Sequence, residues 1–289
     1  MPKRSSILRS SLANASVTAA ATLGGLCVSA VADTLIVTTI DDNTLIEDSG
    51  GAWSSGASLN FYAGRVGPNG ESKLRRGVIK FDVAAIPVGS TIQSVTVKLY
   101  CSKSGSGSAF VVNLKRLTQS FGEGSSFSFG GGGSPPSIGD ATWIHRSYPN
   151  LYWTVPGGDF VAAASASKSV SGTGPYTWTS TPLLVSDVQG WVNNSAVNYG
   201  WLVQGNEVTL QSVKRFDTHE AAASTQPILT VTYAPPAPMI GDINGDLKVN
   251  GADLAILLGQ WGASGSGDFD ASGAVNGADL GTLLGGWTG

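Results

Sequence analysis

Apolar and polar residues alternate with a period of two in several short runs of this chain, the signature of strands with one buried face. Ser94-Val95-Thr96-Val97-Lys98-Leu99-Tyr100 alternates without a break, placing Val95, Val97 and Leu99 on one face and Thr96, Lys98 and Tyr100 on the other. Gly77-Val78-Ile79-Lys80-Phe81-Asp82 alternates in part, and residues 111–117, 199–204 and 228–233 read as further strands. One face of such strands meets a core and the other meets water. Two sheets of this kind packed face to face make a sandwich. The period changes to 3.6 only at residues 183–192, where Leu184, Val188, Trp191 and Val192 share a helical stripe that Asn193-Asn194 ends.

Composition refines this picture. Charged residues are only 13% of the chain and glycine is abundant, which suits an extracellular all-β domain. Residues 121–140, rich in Gly and Ser and holding Pro135-Pro136, are expected to form a long mobile surface loop. Residues 234–240 begin Ala234-Pro235-Pro236-Ala237-Pro238 and read as a stiff linker between a domain at 33–233 and a unit at 241–289. Residues 1–32 read as a secretory signal peptide. Lys3, Arg4 and Arg9 open it, an apolar stretch follows, and Ala30-Val31-Ala32 fits the cleavage site. The protein is therefore expected to be secreted or extracellular, and no other stretch approaches the length of a membrane span.

Without the first 32 residues the chain carries fourteen basic and twenty acidic side chains, a net charge of −6. Six Asp against one Lys beyond residue 241 account for most of it. No basic footprint of a nucleic-acid binder is present. Cys101 would be the one cysteine left, so the domain must stand on its own core rather than on a disulfide.

The acidic segment repeats with a period of 26. Gly241-Asp242-Ile243-Asn244-Gly245-Asp246-Leu247-Lys248-Val249-Asn250-Gly251-Ala252-Asp253-Leu254 aligns with Gly267-Asp268-Phe269-Asp270-Ala271-Ser272-Gly273-Ala274-Val275-Asn276-Gly277-Ala278-Asp279-Leu280. Leu257, Leu258 and Trp261 recur as Leu283, Leu284 and Trp287. Each repeat has oxygen-bearing side chains at positions 1, 3, 5, 9 and 12, the spacing with which an EF-hand wraps calcium. The ligands this predicts are Asp242, Asn244, Asp246, Asn250 and Asp253, then Asp268, Asp270, Ser272, Asn276 and Asp279, for two calcium ions in all. Position 7 (Lys248, Ala274) would give only its backbone carbonyl. Position 8 (Val249, Val275) would turn to a core, and position 9 would act largely through water. With three carboxylates per loop and little core, folding of this unit is expected to be linked to calcium.

The repeat resembles the type I dockerin family over essentially all of residues 241–289: two calcium loops closed by Asp at position 12, each followed by a helix. Two departures stand out, Leu247 where the family has glycine at position 6 and Ser272 in place of an acidic or amide ligand at position 5. The resemblance implies a cohesin-like protein partner. It also implies that positions 10 and 11, here Gly251-Ala252 and Gly277-Ala278, help to select that partner. The same pair in both repeats suggests binding in two orientations, although small side chains make a poor hot spot.

Residues 33–233 resemble the DNRLRE-type domains grouped with carbohydrate-binding modules of family 96. The resemblance rests on Ser58 to Gly64, Arg76 to Asp82, Ile86 to Ile92, Val97 to Tyr100, Ala141-Thr142-Trp143, Val185 to Trp191, Asn198 to Trp201 and Pro227 to Tyr233, in that order. It implies a non-catalytic, jelly-roll-like antiparallel β-sandwich of the kind found on secreted polysaccharide-active proteins. Arg76 and Lys80 on one strand, with Lys98 and Tyr100 on another, would form a basic platform for an acidic polysaccharide if the two strands shared a sheet face; the alternative is an ordinary solvated face. Trp53, Tyr62, Tyr148, Tyr152 and Trp153 fall in loops and could stack on sugar rings, whereas Trp143, Trp191 and Trp201 look like core. His145, His219-Glu220, Glu123 and Glu207 are isolated candidates for catalysis, but no motif selects a carboxylate pair or a nucleophile. The expected function is thus a secreted, non-enzymatic accessory protein: a glycan-binding sandwich, with an acidic or neutral polysaccharide as ligand, tethered through a calcium-dependent dockerin. The alternatives are a structural or adhesive surface protein and, less favoured, a polysaccharide-degrading enzyme.

Overall fold

The structure, a computed structural model, describes residues 32–289. The predicted signal peptide lies almost wholly outside the described residues. The chain is mostly β. Its elements are β1 (Asp33–Val37), β2 (Thr39–Ile46), β3 (Asn60–Arg65), β4 (Leu74–Phe81), β5 (Thr91–Ser104), β6 (Phe110–Arg116), β7 (His145–Ser147), β8 (Leu151–Tyr152), β9 (Ala166–Val170), β10 (Gly174–Trp178), α1 (Pro182–Asn193), β11 (Trp201–Gln204), β12 (Lys214–Asp217), β13 (Ile228–Ala234), α2 (Gly251–Gly259) and α3 (Gly277–Gly285). No helix among the described residues is long and apolar enough to cross a membrane.

All strand pairing is antiparallel, and one curled sheet runs β1-β13-β5-β12-β3-β4-β11-β6-β9, with β10 added to β5 and β2 to β4. The curl turns at β3. Residues 60–63 pair with β12, whereas Gly64 and Arg65 pair with β4. Gly64 allows this corner: its φ is +121°, and a Cβ there would meet the Val213 backbone at 2.9 Å.

Alternation then decides what the curl encloses. Val95, Val97, Leu99 and Cys101 from β5, Ile79 and Phe81 from β4, and Val112 and Leu114 from β6 share one core, so the two halves of the sheet face each other across it. Helix α1 closes one end. The Thr181 hydroxyl caps it by accepting from the Leu184 N–H at 3.0 Å, Pro182 opens it, and Leu184, Val188, Trp191 and Val192 go into the core. Asp187 on its inner face accepts from the Trp201 indole at 2.8 Å and pairs with Arg116 at 3.2 Å, tying the helix to β11 and β6.

Residues 121–140 are not the free loop that their glycine and serine content predicts. They pack on the outer face of the layer formed by β2, β4 and β11, where Phe121, Ala141, Trp143 and Trp153 close over Leu45, Val78 and Leu202. Backbone bonds pin the segment at Ala57–Ser126 and in both directions between Ser54 and Ser134, all at 2.9 Å. Glycine here serves close approach rather than flexibility. A Cβ on Gly122 would fall 1.9 Å from the Gly139 carbonyl oxygen.

Candidate metal centres and binding groove

Residues 241–289 build two matching loop–helix units. In each, position 9 is the N-cap and position 12 the third helical residue, joined by a reciprocal capping box. Asn250 Oδ1 accepts from the Ala252 N–H at 2.8 Å, and Asn276 Oδ1 from Ala278 at the same distance. These oxygens are engaged by the N-terminus of each helix.

Asp253 and Asp279 are fully buried. Asp253 Oδ2 accepts from the Asn250 N–H at 2.9 Å, and Oδ1 accepts from Ile243 and Asn244 at 2.8 and 3.2 Å. Those bonds hold its pKa below the ordinary carboxylate value. Asp279 repeats the pattern with Asn276, Phe269 and Asp270. Position 1 organises the loop: Asp242 accepts from Gly245, Asp246 and Leu247, and Asp268 from Ser272 and Gly273.

One carboxylate oxygen from each of Asp242, Asp246 and Asp253 falls within 4.8 Å of the others, and so do those of Asp268, Asp270 and Asp279. The third acid is supplied by position 5 in the first loop and by position 3 in the second. Asn244 donates to Asp246 at 3.2 Å in the first loop, and Ser272 Oγ approaches Asp268 at 3.4 Å in the second. Serine-directed bonds lower the Asp270 pKa. These oxygen-rich sets suit a hard divalent cation such as calcium. Of the two position-7 residues, Lys248 and Ala274, the Ala274 carbonyl accepts from Ser272 Oγ at 3.3 Å and from Asn276 Nδ2 at 3.0 Å.

Val249 and Val275 are buried with Leu257 and Leu283 in a small separate core. Each position-8 valine bonds the segment that follows the helix of the other repeat: the Gly262 N–H donates to Val275 O, and the Thr288 N–H donates to Val249 O, both at 2.9 Å. These two bonds are related by the same 26-residue period, so the unit has an approximate twofold design. The pairs Gly251-Ala252 and Gly277-Ala278 are exposed. So are larger apolar groups that recur with the repeat: Leu258 and Leu284 are 51% and 52% exposed, Trp261 and Trp287 50% and 43%.

The expected basic platform is not assembled. β4 pairs with β2, β3 and β11, whereas β5 pairs with β10, β12 and β13. The core lies between them, so Arg76 and Lys80 point outward from one layer and Lys98 and Tyr100 outward from the opposite one. Arg76 is also committed: it pairs with Glu207 at 2.7 and 3.1 Å, donates to Gly157 O at 2.8 Å, and lies 4.9 Å from the centre of the Trp143 ring. Lys80 pairs with Asp41 at 3.3 Å. Of the loop aromatics, Trp153 is buried and donates to Thr142 O at 3.0 Å. His145 is buried beside Thr142, and that burial lowers its pKa.

A different basic surface exists where β3, β12 and the end of β5 meet the packed insertion. A groove of about 420 Å³ is lined by Tyr62, Arg75, Lys103, Phe129 and Arg215, with no acidic residue in its lining. Phe129 is 93% exposed at its rim. Arg215 is braced by Ser102 at 3.0 Å and Arg75 by Gly131 O at 2.8 Å, so both guanidinium groups are held in place. Sequence reading named Tyr62 but missed the others, because β12 is only four residues long and Phe129 sits in the segment read as a loose loop.

No protein-family model matches this chain, and no curated protein compared with it matches either.

Proposed function

We propose that this chain is a secreted, non-catalytic accessory protein whose C-terminal unit is a dockerin-like module. In this reading two calcium ions fold that module, and it tethers a jelly-roll-like β-sandwich to a cohesin-like protein partner. The observation that carries the reading is the twice-built loop, in which acids at position 1 and at 3 or 5 converge on a buried aspartate at the first turn of a helix. Carboxylates so crowded repel one another, and a cation of matching charge relieves that repulsion. Exposed Leu258 and Trp261, repeated as Leu284 and Trp287, supply the apolar anchors that the Gly-Ala pairs lack.

The test is calorimetric titration of calcium into the chelator-treated full chain. Two equivalents are expected, with one lost on Asp253→Ala and the other on Asp279→Ala. No uptake, or uptake indifferent to both substitutions, sinks the reading.

A second proposal concerns the domain itself: the groove of Tyr62, Arg75, Lys103, Phe129 and Arg215 takes an acidic polysaccharide. The Lys103 ammonium and the Arg215 guanidinium donate to carboxylates, Arg75 adds its positive charge from a buried position, and the two aromatic rings offer faces for sugar stacking. Binding of a polyuronate, weakened by salt and absent for a neutral glucan, is the expected result. Absence of both would favour a domain that only spaces and displays the docking unit.

A further inference from the structure

Three segments far apart in sequence bring a second kind of acidic cluster together inside the β domain. Asp42 comes from β2, Glu123 from the packed insertion, and His219 and Glu220 from the connection between β12 and β13. One ligand atom from each of the four lies within 4.8 Å of all the others. We propose that Asp42, Glu123, His219 and Glu220 form a divalent cation site of the zinc class, distinct from the calcium loops, that locks these three segments together.

Burial is the first argument. Asp42 is fully buried, and its Oδ2 is already used, accepting from Thr39 Oγ1 at 3.0 Å and from the His219 N–H at 3.1 Å, with His219 Nδ1 at 3.0 Å. Its other oxygen, Oδ1, is buried with no hydrogen-bond partner, and so is Glu220 Oε2. Two orphaned buried carboxylate oxygens in one cluster are costly to leave unpaired, and they are electron pairs free for a cation. The remaining contacts fan out from the imidazole: Nδ1 is 3.5 Å from Glu123 Oε1, and Nε2 is 3.3 Å from Glu220 Oε1. Three acids thus crowd one imidazole.

The donor set selects the ion. Calcium takes six to eight oxygens, whereas one imidazole with three carboxylates is a four-donor N/O set of the kind zinc accepts. Zinc about 2.0 Å from each ligand places tetrahedral ligands about 3.3 Å apart, so the four ligand atoms, now within 4.8 Å of one another, would draw in around the ion. Glu123 is held for that role at its backbone. Asn43 Nδ2 donates to its carbonyl at 2.7 Å, its Oε1 accepts from the Asp42 N–H at 3.0 Å, and Gly56 lies so close that a Cβ there would fall 1.8 Å from the Glu123 carbonyl oxygen. These fixed neighbours give the site the outer shell that metal ligands need for orientation. None of the four lines the basic groove described above, which fits a structural ion better than a substrate-processing one.

The experiment uses the untagged full chain in saturating calcium, so that the C-terminal loops are filled. Zinc is added alone, and bound metal is counted after gel filtration; cobalt is substituted in parallel. One zinc per chain is expected, with a cobalt spectrum in the visible typical of a four-coordinate N/O site. Glu123→Gln and His219→Ala should each weaken zinc by at least tenfold, while Asp253→Ala/Asp279→Ala should leave it unchanged. Glu123 is partly exposed, so Glu123→Gln is the variant whose folding is least at risk. No retained zinc in the wild-type chain overturns the proposal. So does zinc that calcium displaces, that leaves with the C-terminal aspartates, or that a folded Glu123→Gln chain holds as tightly as wild type. Because the zinc count is taken apart from the calcium count, failure here is distinguishable from failure of the docking reading.

Discussion

Gly273→Ala puts the strongest quantitative demand on the calcium-loop reading. Position 6 has positive φ in both repeats, +63° at Leu247 and +97° at Gly273. The second loop therefore holds glycine where the first holds a residue that the left-handed region disfavours. A Cβ added to Gly273 has no heavy atom within 4 Å, so the substitution brings no clash and acts through backbone strain alone. That strain costs about 1–2 kcal/mol. Alanine's smaller freedom in the unfolded chain offsets about 0.5–1 kcal/mol of it. The net is about 1 kcal/mol against the folded, cation-bound loop, or about fivefold in calcium affinity where folding and binding are coupled.

Calorimetric titration resolves this if the two loops differ in affinity, and a chain carrying Asp253→Ala isolates the second loop if they do not. The reverse change, Leu247→Gly, should do less than its mirror. It relieves the same strain, but it adds unfolded-state freedom and removes a half-buried side chain, terms of similar size and opposite sign. Unchanged affinity of the second loop in Gly273→Ala would overturn the strain argument at position 6. A loss much beyond tenfold would do the same, because strain alone cannot supply it.

Other substitutions test other links. Trp261→Ala should weaken a partner only a fewfold, whereas Trp261→Ala/Trp287→Ala should remove binding, because the twofold design offers a second equivalent face; surface plasmon resonance against a purified cohesin domain reads both. Lys103→Glu and Phe129→Ala should each reduce polyuronate binding by about tenfold with unchanged melting temperature, since both side chains are exposed. Lys214→Met should destabilise the domain by roughly 3 kcal/mol in denaturant unfolding. The Lys214 ammonium is buried within hydrogen-bond reach of Ser104 Oγ and of the carbonyls of Ser106, Ser108 and Ser171, and a thioether removes this donor from all four, leaving only Ser106 O with the Ser104 hydroxyl as a second donor. Burial lowers the Lys214 pKa, so as pH rises the folded chain loses this proton before the unfolded chain does. The wild-type chain should therefore gain stability relative to Lys214→Met as pH climbs toward 10.5, and a pH series of unfolding curves checks the sign.

What the sequence made legible follows from how local each signal is. The alternation at residues 94–100 marks the middle of β5, and the 3.6 period at 183–192 marks α1 to within a residue at either end. Trp143, Trp191 and Trp201 are core, as their positions suggested. Asn250, Asp253, Asn276 and Asp279 stood out in the sequence only as cation ligands, and their reciprocal capping bonds emerge from the structure. Pairing across the sheet could not. Alternation tells which residues of a strand share a face, but it does not tell which layer the strand joins, so Arg76 and Lys98 seemed able to meet when the whole core separates them. The insertion misled for another reason. Composition averages over residues 121–140, while the fold depends on Phe121 at its start and on Ala141 and Trp143 just beyond it. His219, Glu220 and Glu123 were visible as single residues, but Asp42, the buried centre that joins them, carried no local mark at all.

The reciprocal bonds of the C-terminal unit make its two imperfect loops into one device. Loop 1 carries the strained Leu247, and loop 2 lacks a carboxylate at position 5. Were the loops independent, each defect would weaken its own ion and nothing else. They are not independent, because Val249 of the first loop holds Thr288 beyond the second helix, and Val275 of the second holds Gly262 beyond the first. All four core residues, Val249, Leu257, Val275 and Leu283, are buried together. On the proposed calcium reading, an ion in either loop would steady its valine and the segment bonded to it after the opposite helix, and so would remove part of the ordering cost that the second ion meets. The expected consequence on that reading is positive coupling between the two ions, and reciprocity requires it to be equal in both directions. A glycine restored at position 247 and an alanine placed at position 273 would then each shift both binding steps rather than one, which is how a coupled pair differs from two separate sites.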